Sequence, residues 1–214
     1  MAEPVPAALL QRFDVSRESL AQLQAYVELL LIWQARINLI GPSTADQIWH
    51  RHVADAFQLM PLLPMGLGPL ADLGSGAGIP GLIIAIASRR HVHLYESNGK
   101  KAAFLREAIR LTGAPATVHA IRIETLAEDA NRPKVAAVMA RALAPLTKLI
   151  VYAEPFLRDG AVGLFHKGQD VDVELSEATS YWKMLYEKHS SPVDSKGVIV
   201  VLKEISRVQP GAHA

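Results

Sequence analysis

The chain has 214 residues and a formal net charge of +1, and half of its residues are hydrophobic. This length and composition fit one globular domain with an extension and argue against extensive disorder. Cysteine is absent, which excludes disulfides, cysteine-ligated zinc and thiol nucleophiles.

The sequence contains no apolar run of the roughly 18 residues that a membrane span needs, and the N-terminus lacks a secretory-signal pattern. We therefore expect a cytoplasmic, monomeric protein with no membrane partner and no metal site. Residues 71–170 carry 13 Lys and Arg against 9 Asp and Glu. This mildly basic middle is compatible with an acidic partner, but ordinary solvated faces explain it as well.

The first part of the chain is predicted to be helical. Apolar residues recur at helical spacing over residues 17–35, and Ser16 stands where an N-cap belongs. A second helix is predicted over residues 44–62. The proline- and glycine-rich stretch 61–69 must be a connection to the next part of the chain.

From residue 70 onward, short apolar runs alternate with helical stretches. Such alternation predicts βαβ units with right-handed crossovers and a mostly parallel sheet. The last two runs follow each other without a helix, which predicts an antiparallel hairpin. The predicted strands are 70–73, 92–96, 116–120, 135–141, 161–166, 182–189 and 197–205. The helices predicted between them are 79–88, 98–111, 125–131, 146–157 and 171–180.

These elements predict an α/β, Rossmann-like fold with a seven-stranded, mostly parallel sheet, a C-terminal antiparallel hairpin and an N-terminal helical extension. We place the extension at residues 1–63 and the main domain at residues 64–207. Residues 208–214 form a tail to which we assign no role.

A glycine-rich loop, ADLGSGAGIPG at residues 71–81, lies between the first strand and the first helix of the main domain. Glycines let the backbone turn tightly and approach a ligand, and the helix beyond offers free N–H groups. The predicted cofactor contacts in this loop are Asp72, Gly74, Ser75, Gly76 and Ile79.

Residues 76–81 also form a literal G-x-G-x-x-G, the dinucleotide fingerprint. Asp72 favours S-adenosylmethionine instead, because a carboxylate suits the ammonium of its methionine part, directly or through water, and would repel a pyrophosphate. Gly74 already ends the strand, so Gly76 starts the dinucleotide pattern two residues late. An NAD(P)-binding oxidoreductase stays the alternative.

Further positions fit the adenosine part of S-adenosylmethionine. Glu96 ends the second strand, where a carboxylate accepts hydrogen bonds from ribose hydroxyls. Ile123 and Glu124 follow the third strand, where an apolar side chain covers an adenine and backbone groups read its edge. An ordinary core position is an equally good reading of Ile123.

Six motifs occur in order between residues 33 and 168. They are Trp33 with Asn38-Leu39, Arg51-His52-Val53-Ala54-Asp55-Ala56, the loop Asp72 to Gly81, Gly99-Lys100-Lys101 with Phe104-Leu105, Arg141-Ala142 and Lys167-Gly168. Together they resemble the motifs of RsmG, also called GidB, a family of small-subunit rRNA guanine-N7 methyltransferases. Ala56 departs from the family's serine at that position.

The resemblance implies a class I methyltransferase that uses S-adenosylmethionine. It implies methylation of N7 of one guanosine in a decoding-region hairpin of 16S rRNA, either as free RNA or in the small ribosomal subunit. By the family's pattern the cofactor contacts are Gly74, Ile79, Ile123, Glu124 and Arg141. A methyltransferase of small molecules or proteins would share the cofactor motifs and stays open.

Guanine N7 has a lone pair and no proton, so its methylation needs no general base, and we expect catalysis by positioning. Arg141 and Lys167, after the fourth and fifth strands, are predicted to contact the base or nearby phosphates; plain surface charges are the alternative. Arg51 and Asp55 either line the methyl-transfer pocket or, at i and i+4 of one helix, pair with each other. His52 is predicted to be a core histidine rather than a catalyst.

Overall fold

The structure, a computed structural model, describes residue 13 and residues 15–208 of the chain. All but the first residue of the predicted tail therefore lie outside the described residues. The described part forms one seven-stranded sheet with helices packed on both faces.

The sheet has the topology that the alternating pattern predicts. Its strands are β1 (Leu70–Leu73), β2 (Val92–Tyr95), β3 (Ala116–His119), β4 (Ala137–Arg141), β5 (Val162–Lys167), β6 (Trp182–Ser190) and β7 (Val198–Arg207). Their spatial order is β3-β2-β1-β4-β5-β7-β6. The first five strands pair in parallel, and β7 pairs antiparallel with β5 and β6. The predicted parallel sheet and C-terminal hairpin are confirmed.

The strand order reverses between β1 and β4, which lie side by side although two strands separate them in sequence. In open α/β sheets, ligands bind beyond the carboxyl ends of the strands at such a switch point. The glycine loop follows β1 and Arg141 ends β4, so both motifs lie at this edge.

The α-helices are α1 (Arg17–Gln34), α2 (Ala54–Phe57), α3 (Gly81–Ser88), α4 (Gly99–Thr112), α5 (Leu146–Arg158) and α6 (Val171–Thr179). As predicted, Ser16 caps α1, because its hydroxyl accepts a hydrogen bond from the N–H of Ser19 at 3.0 Å. Across the described residues, no helix combines the length and apolar character needed to cross a bilayer.

The predicted continuous helix over residues 44–62 is wrong. The segment is broken into a 3₁₀ turn at Pro42–Gln47, a π-helical turn at Trp49–Val53, the four-residue α2 and a 3₁₀ turn at Met60–Leu62. A π turn winds one residue more per turn than local helical spacing assumes. Burial of Trp49 and Phe57 in the core favours this backbone path over a regular helix.

The predicted helix at residues 125–131 is also wrong, since the structure has only a 3₁₀ turn at Ile123–Ala127 there. Leu126 is the one buried side chain of this turn. A single apolar contact does not supply the stripe that stabilises a longer helix.

Two hydrophobic cores lie on opposite faces of the sheet. One contains side chains of α1, α3 and α4, such as Tyr26, Leu82 and Phe104, and it takes in Trp49 of the π turn. The other contains side chains of α5 and α6, such as Phe156. The predicted helical extension therefore shares a continuous core with the main domain.

Candidate active site

The glycine loop turns sharply between β1 and α3. Gly74, Gly76 and Gly78 have φ angles of +68°, +55° and +85°, which residues other than glycine rarely adopt. The hydroxyl of Tyr26 donates a 2.7 Å hydrogen bond to the carbonyl of Ala77. A buried tyrosine of α1 therefore holds the loop from below, a role that the apolar stripe of α1 did not reveal.

Asp72 lies beneath the loop and is fully buried. Its Oδ2 accepts a 3.0 Å hydrogen bond from the N–H of Gly81, the first residue of α3. The carboxylate is closed off from solvent and fixes the start of α3, and its contact with a cofactor, directly or through water, stays a prediction. Burial raises the pKa of Asp72 to about 7, although the bond from Gly81 opposes this shift.

The raised pKa predicts a pH dependence of stability. In the folded protein Asp72 is protonated below about pH 7, whereas in the unfolded chain it is protonated only below about pH 3.8. The contribution of Asp72 to the free energy of unfolding is therefore complete below about pH 4. It is lost as the pH rises to 7, and the loss is roughly 4 kcal/mol at most. Urea unfolding of Asp72→Asn should lack this decline. Parallel pH curves for the two proteins would contradict the assignment.

A cavity of about 320 Å³ opens beside the loop, and we call it the Glu96 cavity. Glu96 accepts hydrogen bonds from the N–H groups of Gly76 at 2.8 Å and Asn98 at 2.7 Å. Each carboxylate oxygen retains a further lone pair for a ligand. The residues around it are Gly74, Gly76, Tyr95, Glu96, Ser97, Lys101, Ile121, Arg122, Ile123, Glu124, Ala142, Leu143, Ala144, Lys148 and Tyr152.

Ile123 and Glu124, predicted on the adenosine side, line this cavity together with Glu96. Glu124 accepts a 3.2 Å hydrogen bond from the hydroxyl of Tyr152, and Lys148 lies 5.5 Å from the centre of the Tyr152 ring. Sequence reasoning missed Lys148 and Tyr152. Their spacing of four residues on α5 places them on one face, but nothing local shows that this face borders a cavity.

On the other side of the glycine loop lies a second cavity of about 280 Å³, the Ser75 cavity. It is lined by Ser75 and Ile79, two of the predicted cofactor contacts, and by the segment 39–41, which precedes the first 3₁₀ turn. The lining residues are Leu39, Ile40, Gly41, His52, Gly74, Ser75, Gly76, Ala77, Ile79, Lys101, Arg141 and Ala142.

A third cavity of about 270 Å³, the Lys167 cavity, lies beyond the ends of β4 and β5. Asp55, Arg141 and Lys167 meet here, and the β6–β7 turn adds Asp194. Lys167 is nearly buried, with its Nζ 2.6 Å from a carboxylate oxygen of Glu174. Its charge is therefore compensated within the protein.

Arg51 and Asp55 do not pair with each other, so that alternative is wrong. Asp55 lies 2.9 Å from the Nε of Arg141, whereas Arg51 lies 3.4 Å from Asp194 of the β6–β7 turn. The π turn replaces the regular helix in which an i, i+4 pair would face each other.

Three groups of the broken helix surround the guanidinium of Arg141. Nε pairs with Asp55, Nη1 lies 3.0 Å from Nδ1 of His52, and Nη2 lies 3.3 Å from the carbonyl oxygen of Arg51. His52 is buried, as predicted, but its ring contacts a candidate site residue. Burial, together with the charges of Arg141 and Arg51, lowers the pKa of His52 to about 4.

His166, which the sequence reasoning did not select, also lines the Lys167 cavity. Its Nε2 lies 2.9 Å from the carbonyl oxygen of Asp55, and burial lowers its pKa. Its position immediately before Lys167 on β5 was the one feature of the sequence that could have indicated its place at the site. The neutral imidazole therefore buttresses the turn that carries Asp55.

Ala142 is common to all three cavities. Its φ of +52° is unusual for a residue with a Cβ and marks backbone strain at a site. The three cavities therefore meet at the residue that follows Arg141. In the part of the chain that the structure describes, no three His, Asp or Glu side chains converge to hold a metal ion.

Several solved structures have similar folds. TYW2 of M. jannaschii in complex with AdoMet has a TM-score of 0.54 at 15% identity, covering 81% of this chain and 80% of that one. The ribosomal protein L11 methylase of Lactobacillus delbrueckii subsp. bulgaricus has a TM-score of 0.54 at 17% identity, covering 75% and 80%. The fold is that of the Rossmann-like class I methyltransferases.

Sequence comparison is more specific. A family model described as GidB, rRNA small subunit methyltransferase G, matches residues 19–200. Ribosomal RNA small subunit methyltransferase G of Methylorubrum populi is 48% identical over 214 residues, covering 98% of this chain and all of that protein. The protein of the same name from Rhodospirillum centenum is 52% identical over 194 residues, covering 91% and 88%. The chain therefore belongs to the rRNA small subunit methyltransferase G family, GidB.

Proposed function

We propose that this protein transfers a methyl group from S-adenosylmethionine to N7 of a guanine in a decoding-region hairpin of 16S rRNA. One observation carries the proposal: the Glu96, Ser75 and Lys167 cavities meet at Ala142. A cofactor bound along the glycine loop and a base bound near Arg141 would therefore lie next to each other. Membership of the GidB family supports RNA of the small subunit as the substrate.

The residues of the Glu96 cavity fit an adenosine. The carboxylate of Glu96 is already oriented by two backbone N–H groups, so it is ready to accept hydrogen bonds from ribose hydroxyls. Ile123 and Leu143 offer apolar surface for a base. A Cβ at Gly76 would approach only the carbonyl oxygen of Gly74, at 3.8 Å, so the loop leaves room on this side.

S-adenosylmethionine, when bound, supplies a methyl group on a positively charged sulfur. The chain's own part is to hold the acceptor base and to exclude water. N7 and O6 of guanine both accept hydrogen bonds on the same edge, so an N–H of Arg141 on O6 would fix the base plane and leave the N7 lone pair free. No side chain has to remove a proton, because N7 carries none.

Positive charge develops on the base as its N7 is methylated. Asp194 and Asp55 line the Lys167 cavity, and their carboxylates would stabilise this charge. Asp55 is held by Arg141, whereas Asp194 is half-exposed, with a 3.0 Å hydrogen bond from the N–H of Lys196 and a long contact to Arg51. A guanine in a hairpin loop is unstacked more easily than a paired one and can enter this cavity.

The proposal is tested with a radiolabelled methyl donor and small subunits from cells that lack this modification. We expect label in 16S RNA at one guanosine, located by chemical cleavage at N7-methylguanosine. Replacing that guanosine by 7-deazaguanosine should abolish labelling. Label in a protein or small-molecule fraction, with none in RNA, would support the alternative substrate classes and overturn the proposal.

Glu96→Ala is expected to weaken cofactor binding by about 1–3 kcal/mol, or roughly 5- to 150-fold, because charge-assisted hydrogen bonds to the ligand are lost. Isothermal titration calorimetry with S-adenosylmethionine and with S-adenosylhomocysteine measures the change. Glu128→Ala, which removes an exposed acid outside the cavity, is the matched control. Equal affinities for the two variants would remove Glu96 from the cofactor site.

A further inference from the structure

The guanidinium of Arg141 is held by one short stretch of chain, from Arg51 to Asp55. We propose that His52, together with Thr44, is a positioning residue that sets the orientation of Arg141 toward the acceptor base. The inference rests on the proposed function, since it assigns how the acceptor side of that same site is built.

The hydrogen-bond directions around His52 are determined by its partners. A guanidinium has donors only, so Nδ1 of His52 must accept from Nη1 of Arg141 at 3.0 Å. The ring proton then resides on Nε2, which donates to Oγ1 of Thr44 at 2.8 Å. The Thr44 hydroxyl in turn donates to the carbonyl of Gly41 at 2.8 Å. Each proton in this series of hydrogen bonds has one acceptor.

This arrangement leaves Arg141 with donors to spare. Of its five N–H groups, one on Nη1 and one on Nη2 bond to His52 and the carbonyl of Arg51, and Nε forms an ion pair with Asp55. Among the bonds of the described residues, one N–H on each Nη nitrogen is left for a further acceptor. Because two hydrogen bonds and one ion pair hold the guanidinium, the two remaining N–H groups point in defined directions, as recognition of a planar base requires.

The far end of this series of hydrogen bonds, at Gly41, lies on the cofactor side. Gly41 and Ile40 line the Ser75 cavity, and the N–H of Ile40 donates to Oε1 of Gln34 at 3.0 Å. The segment is therefore anchored to α1 on one side and to Thr44 on the other. His52 thus joins the wall of the Ser75 cavity to the donors that face the Lys167 cavity.

The test compares His52→Leu, which removes both hydrogen bonds, with His52→Asn, whose amide oxygen can replace Nδ1 as the acceptor. We expect His52→Leu to lower kcat/KM for the RNA about 10- to 100-fold, since a guanidinium N–H loses its partner. We expect the effect on the Kd for S-adenosylmethionine to be smaller than the effect on kcat/KM. His52→Asn should restore most of the turnover.

His50→Leu is the matched control, because His50 lies on the same π turn but is exposed and outside this hydrogen-bond chain. Thr44→Val tests the anchor separately and should lower kcat with little effect on thermal stability. Wild-type turnover in His52→Leu, or equal losses in His52→Leu and His52→Asn, would overturn the proposal.

A second measurement does not depend on methyl transfer. Nitrogen-15 NMR of histidine-labelled protein should show Nδ1 of His52 unprotonated and Nε2 protonated near neutral pH. A proton on Nδ1 would overturn the inference. If the wild-type protein failed to methylate RNA while the NMR result held, the proposed function would fail and the orientation of Arg141 by His52 would stand.

Discussion

Gly81→Ala is expected to abolish measurable binding of S-adenosylmethionine and to lower the free energy of unfolding by about 3 kcal/mol. A Cβ at Gly81 would lie 2.5 Å from Oδ2 and 2.6 Å from Cβ of Asp72, and 2.6 Å from Cδ2 of Leu94. Both neighbours are fully buried on adjacent central strands, so neither can yield. The start of α3 would instead be pushed away from the sheet, together with the glycine loop.

Gly99→Ala is a close control for this change, because Gly99 is also the first residue of a helix. A Cβ at Gly99 would meet no atom within 4 Å, and the residue is exposed. Calorimetric titration and urea unfolding should therefore show wild-type values for Gly99→Ala and losses only for Gly81→Ala. Retained affinity in Gly81→Ala would mean that the loop does not depend on the contact between α3 and β1.

Arg141→Met is expected to reduce kcat/KM for the RNA on the order of 100-fold or more. The substitution removes the donors that we assign to the base and frees the Arg51–Asp55 turn that the guanidinium holds. Asp55 would lose its cationic partner in a mostly buried position, so a modest loss of stability should accompany the loss of turnover.

Single-turnover kinetics with saturating cofactor separate these effects for Arg141→Met. Arg158→Met, which removes an exposed arginine of α5, should leave the rate unchanged. Arg141→Lys should rescue little, because an ammonium cannot reproduce the planar fork that meets three partners. Normal turnover in Arg141→Met would show that Arg141 is an ion-pair residue only.

The sheet and the glycine loop were predictable because their signals are local. The loop's glycines stand between an apolar run and a helix, and the hairpin strands follow each other without a helical stretch. Glu96 and Ile123 could likewise be placed from the ends of their strands. In a parallel sheet these ends meet at one edge, so the chain order alone brings them together.

The π turn was not predictable, since its path depends on how Trp49 and Phe57 fit beneath the core. The same shortcoming led to the wrong pairing alternative for Arg51 and Asp55, whose partners come from distant segments. Asp72 illustrates a different limit. Its place before the loop is visible in the sequence, but only the packing of α3 on β1 shows which way its carboxylate points.

The hydrophobic core shared between α1 and the sheet constrains how such a protein evolves. Tyr26 supports the loop of the main sheet, and the turn around His52 holds an arginine at the end of a central strand. Genetic exchange between relatives at the proline-rich connection would separate residues that contact each other across the two parts. Natural hybrids should therefore inherit the two parts together, with viable crossovers falling elsewhere in the gene.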